Sequence, residues 1–142
     1  MIWIPTRTTD GTELPAYHSD GAAAMDLRAR LDKPRILWPL IPARIPTGVA
    51  MAIPAGYFGL ILGRSGLASR GLDMLGGVID SDYRGEMHAI VVLLRLWPMI
   101  LRPGDRVGQL LILPVERARL SRDLPMATTA RGEAGFGSTG TR

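Results

Sequence analysis

The chain has no cysteine, two histidines, a single lysine (Lys33), and aromatic side chains at only 6% of its 142 residues. Without cysteine there is no disulfide framework, no thiolate zinc site and no thiol nucleophile. His18 and His88 lie far apart in the chain, which excludes a histidine-rich metal site. No apolar run approaches the roughly 20 residues of a membrane span; the longest, Ala89 to Leu94, stops at Arg95. Met1 to Asp10 lacks a basic start followed by an apolar stretch and does not read as a secretion signal. These absences predict a soluble, intracellular protein of one domain, spanning residues 1–142.

What is present is 46% hydrophobic and 21% charged, with a formal net charge of +4 carried almost wholly by arginine. A basic balance makes polyanions plausible partners, nucleotides and nucleic acid among them. The arginines are scattered and not interleaved with aromatics, so a moderately basic solvated surface explains them equally well. Seventeen glycines and 11 prolines divide the chain into short pieces, which rules out long helices. Segments 57–62, 89–94 and 107–113 are short, apolar and bounded by Gly, Pro or charge, and read as strands; 35–38 and 46–53 look similar. Several such strands at even spacing predict an all-β sandwich or barrel, with one short helical stretch over 66–70. Leu93 to Leu101, with Trp97 and Pro98, is more apolar than a solvent-facing loop requires. It reads as a subunit contact or as ordinary core.

Four clusters carry reactive groups. Gly63-Arg-Ser-Gly66 follows an apolar strand and offers a guanidinium fork, a hydroxyl and approachable backbone N–H groups to an anion. Gly76 to Glu86 holds Asp80, Asp82 and Tyr83 in what reads as a glycine-bracketed hairpin; paired acids of this kind bind a metal or divide into a base and its charge partner. Pro103 to Gln109 is a turn entering a strand, with the Gln109 amide at its mouth. Arg131 to Gly140 satisfies G-x-G-x-x-G, but the chain ends two residues later, so no dinucleotide fold follows it. A missing lysine excludes a Walker A loop. What remains there is a glycine-rich arm with one Arg, one Phe and two hydroxyls, groups suited to closing over a nucleotide.

Taken together and in order, these clusters resemble the trimeric dUTPase family. Its five motifs are matched by Ala23-Ala-Met-Asp-Leu27, Gly63-Arg-Ser-Gly-Leu67, Gly77 to Gly85, Gly104 to Gln109, and Arg131 to Gly140. The resemblance implies a distorted β-jelly roll with at most one short helix. It implies a homotrimer whose sites are shared between subunits and closed by a C-terminal arm, about 128–142. It also implies Mg²⁺-dependent hydrolysis of dUTP to dUMP and pyrophosphate, keeping uracil out of DNA and supplying dUMP for thymidylate synthesis.

Carried onto this chain, the family roles make Asp80 the general base. Gly77, Val78 and Ile79 read the uracil edge, Tyr83 excludes a 2′-hydroxyl, and His88 stands near the uracil. Arg64, Ser65, Gly66 and Gln109 hold phosphate oxygens, and Arg131 pairs with the terminal phosphate. Phe136 stacks on the base, Gly137 and Ser138 add phosphate contacts, and Asp26 touches Mg²⁺ through water. Ala24 and Ala134 stand where the family commonly has Gly, and Gly108 where it has Ala. The same resemblance implies a cytoplasmic enzyme with no nucleic-acid or membrane partner. Rival readings are the related dCTP deaminase, a non-catalytic trimeric module that kept the fold, and a nucleic-acid-binding β-barrel.

Overall fold

The computed structural model describes residues 1–9, 11–130 and 132–133. Eleven strands and one helix follow in order: β1 (Thr6–Thr8), β2 (Met25–Arg28), β3 (Arg35–Leu37), β4 (Ala43–Pro46), β5 (Val49–Met51), β6 (Tyr57–Leu62), α1 (Ser65–Ala68), β7 (Leu72–Gly76), β8 (Val78–Ile79), β9 (His88–Leu93), β10 (Met99–Leu101) and β11 (Arg106–Pro114). All strand pairs are antiparallel. They form a four-stranded sheet β2-β11-β6-β8, a three-stranded sheet β4-β9-β7, and the pairs β1-β5 and β3-β10. This is the all-β jelly-roll architecture the sequence predicts.

Alternation of inward apolar and outward residues builds two core clusters. One gathers Leu37, Ile45, Leu72, Ala89, Val91, Leu93 and Leu101 between the three-stranded sheet and the β3-β10 pair. The other gathers Leu27, Val49, Ile53, Ile61, Met87 and Leu110 beneath the four-stranded sheet, and Met74 packs against both. Thr47, the buried polar residue, satisfies its hydroxyl by donating to the Met87 carbonyl at 2.7 Å.

The predicted strands differ from the observed ones where a turn needs room. Segment 46–53 is two strands, since Thr47-Gly48 separates β4 from β5 and Gly48 takes φ +70°. The helix begins at Ser65 and ends at Ala68, earlier than predicted, because the chain reverses at Gly71 with φ +87°.

The supposed hairpin at 76–86 is a different object. β7 pairs with β9 and β8 pairs with β6, so the chain crosses between sheets at Gly76-Gly77 and the flanking strands do not pair with each other. A Cβ on Gly77 would fall on the Ile61 carbonyl, and Ile61 N–H donates to the Gly77 carbonyl at 2.8 Å. Both partners of that close approach are backbone, so neither yields. Gly77→Ala is therefore expected to lose about 1–3 kcal/mol, the scale of an overpacked core. Urea unfolding measures it, and a loss under about 0.5 kcal/mol would contradict this account of the crossover.

Candidate functional site

Across the four-stranded sheet, Asp26 on β2 lies opposite Gln109 on β11, and Gln109 lies opposite Leu62 on β6. This row places three of the sequence motifs side by side, because Gly63-Arg64-Ser65 leaves the end of β6 there. The Asp26 side chain is only 11% exposed, and its carboxylate meets two guanidinium groups and an imidazole nitrogen. Arg64 Nε lies 2.9 Å from Oδ1; His18 Nε2 and Arg106 Nη1 lie 3.1 and 3.2 Å from Oδ2. Gln109 Nε2 donates to the Gly63 carbonyl at 2.8 Å, fixing the turn that presents Arg64. A buried carboxylate of this kind is tolerable because charged donors satisfy both oxygens. The result is a cavity of about 440 Å³, its lining including Asp26, Arg64, Ser65, Gly66, Arg106 and Gln109. Its cationic side chains outnumber its carboxylate, so the cavity suits an anion. A slightly larger concavity, about 480 Å³, lies around Thr12, Arg30 and Pro103; of the motif residues only Gly104 lines it.

The third motif lies elsewhere. Asp80 follows β8, whose Ile79 pairs with Gly59 on β6, three residues from Leu62. At about 3.3 Å per strand residue, that is about 10 Å from the Asp26–Gln109 row, with Asp80 continuing away from it. Asp80 through Tyr83 form a turn, the Tyr83 N–H donating to the Asp80 carbonyl at 3.2 Å. The Tyr83 hydroxyl donates to the Glu86 carbonyl at 2.9 Å, and its ring lies over Gly85, where a Cβ would strike it. Arg84 Nη1 donates to the Ser81 carbonyl at 2.7 Å, pinning the same turn. Val78 is exposed and Ile79 half-buried against the second core cluster. His88 opens β9 with Nδ1 3.0 Å from the Glu86 carbonyl, which gives it a part in shaping this loop.

The structure thus brings Asp26, Arg64, Ser65, Gly66 and Gln109 together. It gathers Gly77, Val78, Ile79, Asp80, Tyr83 and His88 at a second place on the same chain. Arg131, Phe136, Gly137 and Ser138 lie outside the described residues. Sequence reasoning missed His18 and Arg106 as partners of Asp26. Arg106 lies inside the fourth motif, where the Gln109 amide is the more conspicuous ligand. His18 comes from a loop, and no spacing links it to Asp26. Among the described residues no three His, Asp or Glu side chains gather as a metal cluster.

The dUTPase family model matches residues 10–140. The deoxyuridine 5′-triphosphate nucleotidohydrolase of Anaeromyxobacter sp. is 48% identical over 131 residues, covering 90% of this chain and 88% of the relative. That of Rhizobium meliloti is 46% identical over 138 residues, covering 94% and 86%. Among solved structures, the Staphylococcus bacteriophage 80alpha dUTPase with dUpNHpp superposes with a TM-score of 0.82 at 24% identity, covering 99% of each chain, a likeness of fold. On the match that runs through all five motifs, and on the identity of these relatives along nearly the whole chain, this protein belongs to the dUTPase family.

Proposed function

We propose that the chain hydrolyses dUTP to dUMP and pyrophosphate. The observation that carries this reading is the Asp26 cluster: three motifs distant in sequence converge on one anion-sized cavity whose arginines are already aimed. Arg64 is held through Nε, which leaves its terminal nitrogens for phosphate oxygens; Ser65, the Gly66 backbone and Gln109 stand beside it. Asp80 takes a proton from a water whose oxygen attaches to the α-phosphorus. The bond from that phosphorus to the bridging oxygen breaks, pyrophosphate leaves with the oxygen, and the proton passes to solvent. The backbone of Gly77, Val78 and Ile79 reads uracil and Tyr83 packs under the sugar. Arg131, Phe136, Gly137 and Ser138, on an arm over about 128–142, close the site. His88 acts on this face through the Glu86 loop.

Mg²⁺ fits this site through water. The carboxylate lining the phosphate cavity, Asp26, is already engaged by Arg64, Arg106 and the His18 ring, which suits an ion that keeps most of its waters and rides on phosphates. When bound, it neutralises charge on the triphosphate.

Two features support a homotrimer with shared sites. Asp80 and Arg64 stand at separate rows of one chain, so a complete site needs Asp80 of one copy beside Arg64 of another. Every residue from 114 to 130 is exposed, Leu120, Leu124 and Met126 included, as expected of a segment that finds its cover on a neighbour. Among the described residues no helix is long and apolar enough to cross a membrane, and nucleotide hydrolysis supports a cytoplasmic setting.

Pyrophosphate release is expected from dUTP, and not from dTTP, dCTP or UTP, with loss of turnover when Mg²⁺ is removed; ammonia release from dCTP would favour the deaminase instead. Asp80→Asn is expected to lower kcat about 10²–10⁴-fold while KM stays within a few-fold. A kcat within tenfold of wild type would remove Asp80 from the base role. Mixing unfolded Asp80→Asn and Arg64→Ala chains and refolding them together is expected to restore about a quarter of wild-type activity, since a symmetric assembly draws the two groups from different copies. No gain above either variant alone would mean that each chain completes its own site.

A further inference from the structure

At the far end of the molecule the β3-β10 pair carries an apolar face with nothing over it. Ile36 and Ile100 are register partners and both are exposed. Beyond β3 the chain turns through Trp38-Pro39-Leu40-Ile41, and beyond β9 it passes through Leu94 to Pro98. The two loops lie side by side, because Pro39 bridges Leu93 and the Leu40 N–H donates to the Leu93 carbonyl at 2.9 Å. Together they expose Trp38, Leu40, Ile41, Leu94, Leu96 and Trp97, with Leu96 87%, Trp97 75% and Leu40 71% accessible.

The face is built to stay open. Leu40 has φ 60°, the one positive φ of a non-glycine among the described residues. It stands at the third place of the Trp38–Ile41 turn, where a left-handed residue is wanted and glycine is favoured. A leucine held there, strained and pointing into water, gains nothing from its own chain. The neighbouring loop is fixed as well: Arg95 Nε and Nη2 donate to the Trp97 and Pro98 carbonyls at 2.9 and 2.8 Å, so its guanidinium is turned back on the backbone. The face therefore has an aromatic and aliphatic centre without a free charge, with Arg35 and Arg102 at its edge. That is the composition of a protein–protein contact: charge-poor at the core, arginine at the rim.

We propose that this face binds the same face of a second copy of the chain about a twofold axis. The accessible surface of its eight large apolar residues is on the order of 900 Å², close to the ~800 Å² each partner contributes to a stable interface. A twofold contact uses one patch twice and needs no other partner. It sets Ile36 and Ile100 against their counterparts, with the Trp38 and Trp97 rings over the other copy's Leu40 and Leu96. The proposal goes beyond the hydrolytic reading and does not rest on it. The trimer proposed for the shared sites is argued from Asp80, Arg64 and the segment 114–130, which lie outside this face, so pairing of this face doubles that assembly.

The test compares full-length wild type with the double variant Leu96→Glu, Trp97→Glu by light-scattering mass after gel filtration at about 50 µM, alongside dUTP turnover. Wild type is expected at twice the mass of the variant, six chains against three if the trimer holds, with kcat/KM per chain unchanged. Equal masses overturn the proposal. Equal masses with wild type, and not the variant, cosedimenting with phosphatidylglycerol vesicles would assign the face to a lipid surface instead. Leu40→Gly guards against a misfolded double variant. It relieves the turn, so it is expected to unfold at a higher temperature than wild type while its doubled assembly dissociates at an at least tenfold higher concentration. A Leu40→Gly chain that associates as tightly as wild type overturns the proposal as well.

Discussion

One carboxylate organises the phosphate side of this molecule. Asp26 is placed by a short strand, buried to about nine-tenths, and bonded to His18 from a loop, Arg64 from the end of β6 and Arg106 from the start of β11. Burying a carboxylate costs more than one ion pair returns, and such clusters contribute little net stability. Their value is geometric. An unpartnered arginine samples many rotamers and loses that freedom when it binds phosphate, whereas Arg64 anchored through Nε has already lost it. Gln109 does the same for the backbone by holding the Gly63 carbonyl, so the turn, the guanidinium and the hydroxyl of Ser65 arrive as one unit.

Much of this was legible in the sequence, for physical reasons that also mark where legibility stopped. Tyr57–Leu62 was read to the residue because its apolar run is closed on both sides by glycine, and β9 and β11 were placed to within a residue at each end. The short strands β1 and β2 were missed, since three or four residues carry too little alternation to register. The β4–β5 break at Thr47-Gly48 was hidden because both flanks are apolar and the turn is a single Thr-Gly step. The crossover at Gly76-Gly77 looked like a hairpin because local sequence reports a reversal and not which sheets the strands join. Within the site, Arg64 and Gln109 could be named from their motifs. Their common dependence on Asp26, and the entry of His18, follow from sheet register, which no local pattern encodes.

The same register explains why the chemistry is divided. Adjacent strands put Asp26, Gln109 and Leu62 in one row, and the β6–β8 pairing then fixes Asp80 at another. No side chain of an aspartate spans a gap of about 10 Å along a sheet. The proposed base and phosphate clamp therefore stand at separate places of one copy, and the stretch from 114 to 130 is exposed throughout. If the proposed sharing of sites holds, a site divided this way ties activity to assembly.

The apolar face on β3 and β10 obeys a different logic. The segment 115–130 carries neither strand nor helix and is exposed throughout. The face at Trp38, Leu40 and Trp97 is already shaped, its turn held by the Leu93 carbonyl and its loop by Arg95. Pre-shaping removes the ordering cost of association, so a modest area suffices to hold a partner. β9 connects the two ends: His88 leaves the Asp80–Glu86 loop, and five residues later, about 17 Å at strand rise, Leu93 bridges the Pro39 turn. The Asp80–Glu86 loop and the apolar face therefore sit at opposite ends of a largely buried strand. A second copy seated on the proposed face sits at the Leu93 end of β9, away from the Asp80 end where the proposed nucleotide contacts lie.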